Sequence, residues 1–184
     1  MKQTVFLDQM NRSVTVSKRP KRIVSLVPSL TELLHYLSLD QEVVGITKFC
    51  VHPKDWFQNK ERVGGTKNLK LKRIHELKPD LIIGNKEENT ESDIEALSSD
   101  FPVWMTDVNN FDDALEMIND IGTVLRHENA SKRLVEELKK SYKDVGMVGK
   151  GKKAIYLIWD EPTYLAGTFG TNFGHLKKKV SAYK

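Results

Sequence analysis

The 184-residue chain has a single cysteine. No disulfide can form within it, and its thiol content says nothing about the redox compartment. It also lacks any long apolar run. The N-terminus, MKQTVFLDQMNRSVTV, has no apolar core of the kind a secretory signal carries, and no window approaches the ~20 apolar residues of a membrane-spanning helix. As written, the chain is expected to be soluble and to stay in the cytosol. Aromatic residues make up only 8%, and no stacking platform interleaves the basic runs at residues 18–22, 67–73 and 177–179. The formal net charge of +4 is too small to imply nucleic acid without a clustered face, so those runs read as solvated surface. What is present is globular in character: 39% hydrophobic and 29% charged, enough for one core and a fragment of a second.

Residues 4–7 and 13–16 alternate around the turn-forming stretch 8–12 and predict a β-hairpin. RIVSL (22–26) is β-branched and apolar, as a buried parallel strand should be. After Val27-Pro28, the leucines at 30, 33, 34 and 37 fall at helical spacing. Ser29-Leu30-Thr31-Glu32 fits a capping box, which predicts a helix starting at Ser29. A second strand (42–46) runs directly into KFCVHP (48–53). A short helix over 71–77 is stopped by Lys78-Pro79, because the residue before proline disfavours the α region. A third strand (80–84) leads to the polar loop NKEEN (85–89) and a helix to about 97, and a fourth strand covers 103–105. This alternation predicts an α/β fold, a parallel sheet lobe flanked by helices. An amphipathic helix over 111–125 follows, then a mostly polar one over 130–145 with a narrow stripe of Leu134, Leu138 and Tyr142, which reads as a strut. A last strand (154–159) precedes the loop DEPTYLAG, and beyond Gly167 neither strand alternation nor a helical stripe continues. The expected organisation is an N-terminal ligand-binding lobe at 1–126, a long connecting helix at 127–150, and an incomplete C-terminal lobe at 151–184.

RIVSLVPSLTELL, VVGITKF, VGGTKN and above all RIHELKPDLIIGNKEEN together resemble the class III, helical-backbone periplasmic binding proteins. These are the substrate-binding components of ABC importers for cobalamin, ferric siderophores and haem. The likeness spans about residues 8–162 and is strongest to the cobalamin-binding branch and its helical backbone metal receptor relatives. The resemblance implies two α/β lobes joined by one backbone helix, with ligand held between them and no chemistry performed on it. It implies no cofactor of the protein's own, a periplasmic or cell-envelope location, and importer membrane subunits as partners. The implied ligand is a corrinoid such as cobalamin or another metal chelate. The alternative is an iron-siderophore or haem binding protein, or a cytosolic metal-cofactor carrier on the same scaffold. Relatives continue for several strands beyond the position of Gly167, so the chain reads as truncated. In the cobalamin branch the short helix after VGGTKN carries an acidic residue that docks on arginines of the membrane subunit. Lys72 stands there in this sequence, which makes that contact repulsive.

In open parallel sheets, ligands gather at the loops beyond the carboxyl ends of the strands. The residues so placed, and expected to bind ligand, are Pro28, Ser29, Phe49, Cys50, His52, Asn85 and Trp159, with Thr66, Lys67 and Asn68 on the same rim. KFCVHP supplies at most two ligands of the four that a closed structural zinc site needs, and His35, His75, His127 and His175 are scattered with no ligand spacing. Alternation would set Cys50 and His52 on one face, yet no third group orients them as a catalytic pair. No catalytic residue and no metal site of the protein's own is therefore expected. Axial coordination of a ligand's metal by His52 or Cys50 stays open. A pocket wall is the preferred reading of the segment, with buried packing of Cys50 as the plainer one. Glu87 and Glu88 read as solvated loop charge, and Trp56 and Trp104 as packing residues.

Overall fold

The computed structural model describes residues 3–146, 157–159 and 165–166. Strands β1 (Gln3–Leu7) and β2 (Ser13–Ser17) pair antiparallel, with Val14 and Val16 turned inward. Asp8 builds the turn between them. Its buried carboxylate accepts from the N–H groups of Met10 and Arg12, from the Arg12 guanidinium at 2.7 and 2.9 Å, and from the N–H of Met105. One satisfied ion pair thus ties the hairpin to the far edge of the main sheet.

Seven further strands follow before the long helices: β3 (Ile23–Ser25), β4 (Val43–Ile46), β5 (Glu61–Arg62), β6 (Gly64–Gly65), β7 (Asn68–Leu69), β8 (Leu81–Asn85) and β9 (Val103–Thr106). Five of them form one sheet in the order β5-β4-β3-β8-β9, every neighbouring pair parallel. β6 and β7 form a two-residue antiparallel hairpin beside it. β3, β8 and β9 are almost wholly buried, as strands covered on both faces must be. The helices are α1 (Pro28–Tyr36), α2 (Lys54–Asn59), α3 (Leu71–Leu77), α4 (Glu91–Ser98), α5 (Phe111–Val124) and α6 (Glu128–Gly146). Leu30, Leu34, Ile74 and Leu97 bring their apolar stripes onto the strands, and each such side chain, fully buried, contributes ~1.5–3 kcal/mol. Two short strands, β10 (Leu157–Trp159) and β11 (Leu165–Ala166), pair antiparallel with each other. The remainder of the expected incomplete lobe lies outside the described residues.

Three local readings are corrected. Helix α1 starts at Pro28 with Val27 as its cap, and no side chain closes a capping box. Proline's fixed φ and missing N–H suit the first helical position, so the helix gains a residue and Ser29 falls inside it. Helix α2 was not anticipated; a turn and a half of KDWFQN is too short for periodicity to reveal, and the buried Trp56 pins it. On α6 the buried positions are Ser131 and Val135, flanked by partly buried Leu134 and Leu138, so the stripe against α5 is wider than the leucines suggest. Tyr142 lies at its margin, stacked on Phe111 at 4.0 Å between ring centroids.

Candidate functional site

From β3 the chain moves to β4 and β5 on one side of the sheet, then crosses to β8 and β9 on the other. The order reverses between β3 and β8, and the crevice outside the carboxyl ends at such a reversal is where ligands sit in open α/β sheets. Because all five strands are parallel, the carboxyl ends of β3, β4 and β8 lie at one end of the sheet, which brings there Ser29 in the first turn of α1, Phe49 in the loop after β4 and Asn85 at the last position of β8. An open basin of about 780 Å³ lies there, between Phe49, the β6–β7 hairpin and the Glu87-Glu88 stretch.

Each wall has a local cause. Phe49 leaves 52% of its surface exposed, and the Lys48 ammonium stands 5.0 Å from its ring centroid. The hairpin turns at Thr66-Lys67, and at its base Gly64, paired with Leu69, takes a φ of +106°, a conformation side-chain-bearing residues rarely adopt. Asn89 joins hairpin and loop. Its Nδ2 donates to the Thr66 carbonyl at 3.0 Å and its Oδ1 accepts the Asn85 N–H at 2.8 Å, in a position only 5% exposed. That approach requires Gly84, where an added Cβ would lie 2.7 Å from Asn89 Oδ1 and 2.9 Å from Met105 Sδ. Two bonds brace the rim from outside: Lys67 Nζ donates to the Glu87 carbonyl, and Thr90 Oγ1 donates to the Lys67 carbonyl at 3.1 Å.

Of the residues expected in the site, Phe49, Thr66, Lys67 and Asn68 line the basin together, joined by Lys48, Lys70, Glu87 and Glu88. Pro28 is half-buried and Ser29 exposed, at the same end of the sheet but off the basin wall. Asn85 is committed internally. Its Oδ1 accepts the N–H groups of Glu87 and Glu88, while its Nδ2 donates to Thr106, so it shapes the loop. Cys50 is fully buried, its Sγ 3.1 Å from both Thr31 Oγ1 and Thr47 Oγ1. With Ser25 Oγ 2.8 Å from Thr31, the four buried side chains tie the end of β3 and the first turn of α1 to the loop after β4. His52 is exposed, so the expected shared face with Cys50 is corrected: the Cys50 N–H bonds back to the Thr47 carbonyl, and this turn ends the alternation. The neighbours of the thiol are hydroxyls, and no base stands beside it among the described residues. Trp159 lies on β10, its side chain outside the described residues. Lys72 is exposed in the first turn of α3. Sequence reasoning missed Asn89; the Gly84-Asn85 pair with a second asparagine four residues on was the available signal.

A family model described as periplasmic binding protein matches residues 23–178. The uncharacterised ABC transporter substrate-binding lipoprotein YvrC of Bacillus subtilis is 32% identical over 143 residues, which are 75% of this chain and 45% of that protein. A vitamin B12-binding protein of Pectobacterium carotovorum is 25% identical over 139 residues, 75% of this chain and 50% of that one. The chain thus spans about half the length of the curated relatives it matches. Among solved structures, the petrobactin-binding protein YclQ of Bacillus subtilis superposes with a TM-score of 0.80 at 23% identity, covering 90% of this chain and 61% of the other, and so shares its fold. Among the described residues no helix is long and apolar enough to cross a membrane.

Proposed function

The chain belongs to the periplasmic binding protein family, and from that premise we propose that it is the ligand-binding lobe of an ABC importer's substrate-binding protein, taking a metal chelate of the corrinoid class and performing no covalent chemistry on it. The observation that carries this reading is the open basin at the carboxyl end of the sheet, between the segments that follow β4 and β8, with an exposed phenyl ring beside a glycine hairpin. Exposed Phe49 offers apolar area to a flat macrocycle, while Asn68 and the hairpin's backbone offer hydrogen bonds to its amide fringe. Vitamin B12-binding relatives support the corrinoid among the possible chelates.

Lys48, Lys67 and Lys70 on the rim favour a second reading, an anionic ferric siderophore, in which charge complementarity would dominate. Titrating the chain with cyanocobalamin, haemin and a ferric catecholate, followed by visible absorbance, separates the readings. Saturable perturbation of the cobalamin spectrum supports the first. A salt-sensitive response to the catecholate alone supports the second. Phe49→Ala is expected to weaken corrinoid binding by about tenfold, ~1.4 kcal/mol, with no loss of fold. No spectral change with any of the three at high micromolar concentration overturns the proposal.

A further inference from the structure

At the end of α1 away from the basin, three side chains from three separate segments converge. His35 belongs to the last turn of α1, Asp40 to the connection between α1 and β4, and Asp55 to the first turn of α2. One imidazole nitrogen and one oxygen from each carboxylate all lie within 4.8 Å of one another. In the sequence the three are five and fifteen residues apart and show no ligand motif, so the cluster exists only in the fold.

We propose that His35, Asp40 and Asp55 form a surface site for a divalent transition cation of the zinc type, with water completing the coordination. The ligand set is one borderline nitrogen and two hard oxygens, which suits zinc and its neighbours and leaves an open position. Two carboxylates are held together here although, among the described residues, neither forms an ion pair with a basic side chain. A cation between them removes the repulsion that this placement otherwise costs.

Supporting contacts aim the ligands. The indole N–H of Trp56, a side chain 2% exposed, donates to Asp40 Oδ1 at 2.8 Å, which fixes the carboxylate and leaves its second oxygen available. The same indole receives the His35 ring edge-on, with centroids 5.3 Å apart at 85°. Lys60 holds the Asp40 backbone through its carbonyl and spares the carboxylate. Orientation of ligands by a buried donor is what separates a metal site from a chance meeting of surface charges. Bound metal would clamp the end of α1, the loop after it and α2 into one unit, independently of any ligand in the basin.

The test is calorimetric titration of the chain with zinc chloride, repeated with His35→Ala, Asp55→Asn and, as a control, His75→Ala, an exposed imidazole on α3. One-to-one saturable binding is expected, weakened about tenfold or more in the first two variants and unchanged in the control. Cobalt(II) should give the intense visible bands of a four-coordinate ion, lost in His35→Ala. Circular dichroism of the variants guards against unfolding, since both substitutions are at exposed positions. Absence of binding up to millimolar zinc overturns the proposal, as does equal binding by the wild-type chain and His35→Ala.

Discussion

Replacing Asn89 by alanine tests whether the basin is built by hydrogen bonding across two loops. The side chain makes two bonds, to the Asn85 N–H at 2.8 Å and the Thr66 carbonyl at 3.0 Å, in a position almost closed to water. Each bond contributes about 1 kcal/mol net, and truncation also leaves a buried donor and a buried acceptor without partners. The expected loss is about 2–4 kcal/mol of unfolding free energy, with the denaturant slope unchanged because the same core is exposed on unfolding. Urea titration followed by tryptophan fluorescence measures it, with Glu88→Ala, an exposed rim position, as a reference expected within about 0.5 kcal/mol of wild type. Asn89→Asp sharpens the result. It keeps the acceptor toward Asn85 but sets a carboxylate oxygen against the Thr66 carbonyl, so it should destabilise at least as much as alanine. A loss below about 0.5 kcal/mol in Asn89→Ala, or a stable Asn89→Asp, would refute the bridging role of this residue.

Other positions give independent checks. Gly84→Ala is expected to cost about 1–3 kcal/mol, since the new methyl group meets Asn89 Oδ1 and Met105 Sδ inside 3 Å, and a thermal melt reads it. The Cys50 thiol should resist a disulfide reagent in the native protein and react at once in urea, because it is fully buried between two threonines. Truncating Asp8 to alanine leaves the Met10, Arg12 and Met105 N–H groups without their acceptor, while the part-exposed Arg12 guanidinium keeps its bond to the Val103 carbonyl, with an expected loss of about 2–3 kcal/mol measured by urea unfolding. Burial, and secondarily the nearby Glu116 charge, push the Asp120 carboxyl up to about 6 from an ordinary value of 3.8. A raised carboxyl pKa means that the folded state holds the proton longer than the unfolded one, so stability falls as pH rises from about 4 to 6. Asp120→Asn should therefore stabilise the protein above pH 6 and change little below pH 4, as stability curves at several pH values would reveal.

The parallel sheet was readable from the chain because its evidence is local. RIVSL and the run at 80–84 are largely apolar, and a strand covered on both faces buries nearly every residue of such a run, as Ile23–Ser25 and Leu81–Gly84 do here. The hairpin alternation and the 71–77 helix with its Lys78-Pro79 stop were readable for the same reason. Elements of two residues or of a single turn, β5 to β7 and α2, were not, because their stability comes from what they rest upon and no period can develop in so few positions.

The sequence by itself therefore determined the order of strands and helices, and with it the end of the sheet at which Phe49, Lys67 and Asn68 gather. Only the tertiary structure decided which side chains at that end face solvent and which are spent holding loops. Cys50 and Asn85 turned inward through partners such as Thr31, 19 residues away from Cys50, and Thr106, 21 away from Asn85. Asn89 found Thr66 across 23 residues, and His35 met Asp55 only because α2 folds beside α1. Secondary structure follows the near-neighbour period of apolar residues, whereas a polar atom inside a fold is satisfied by whatever donor or acceptor the packing brings within about 3 Å.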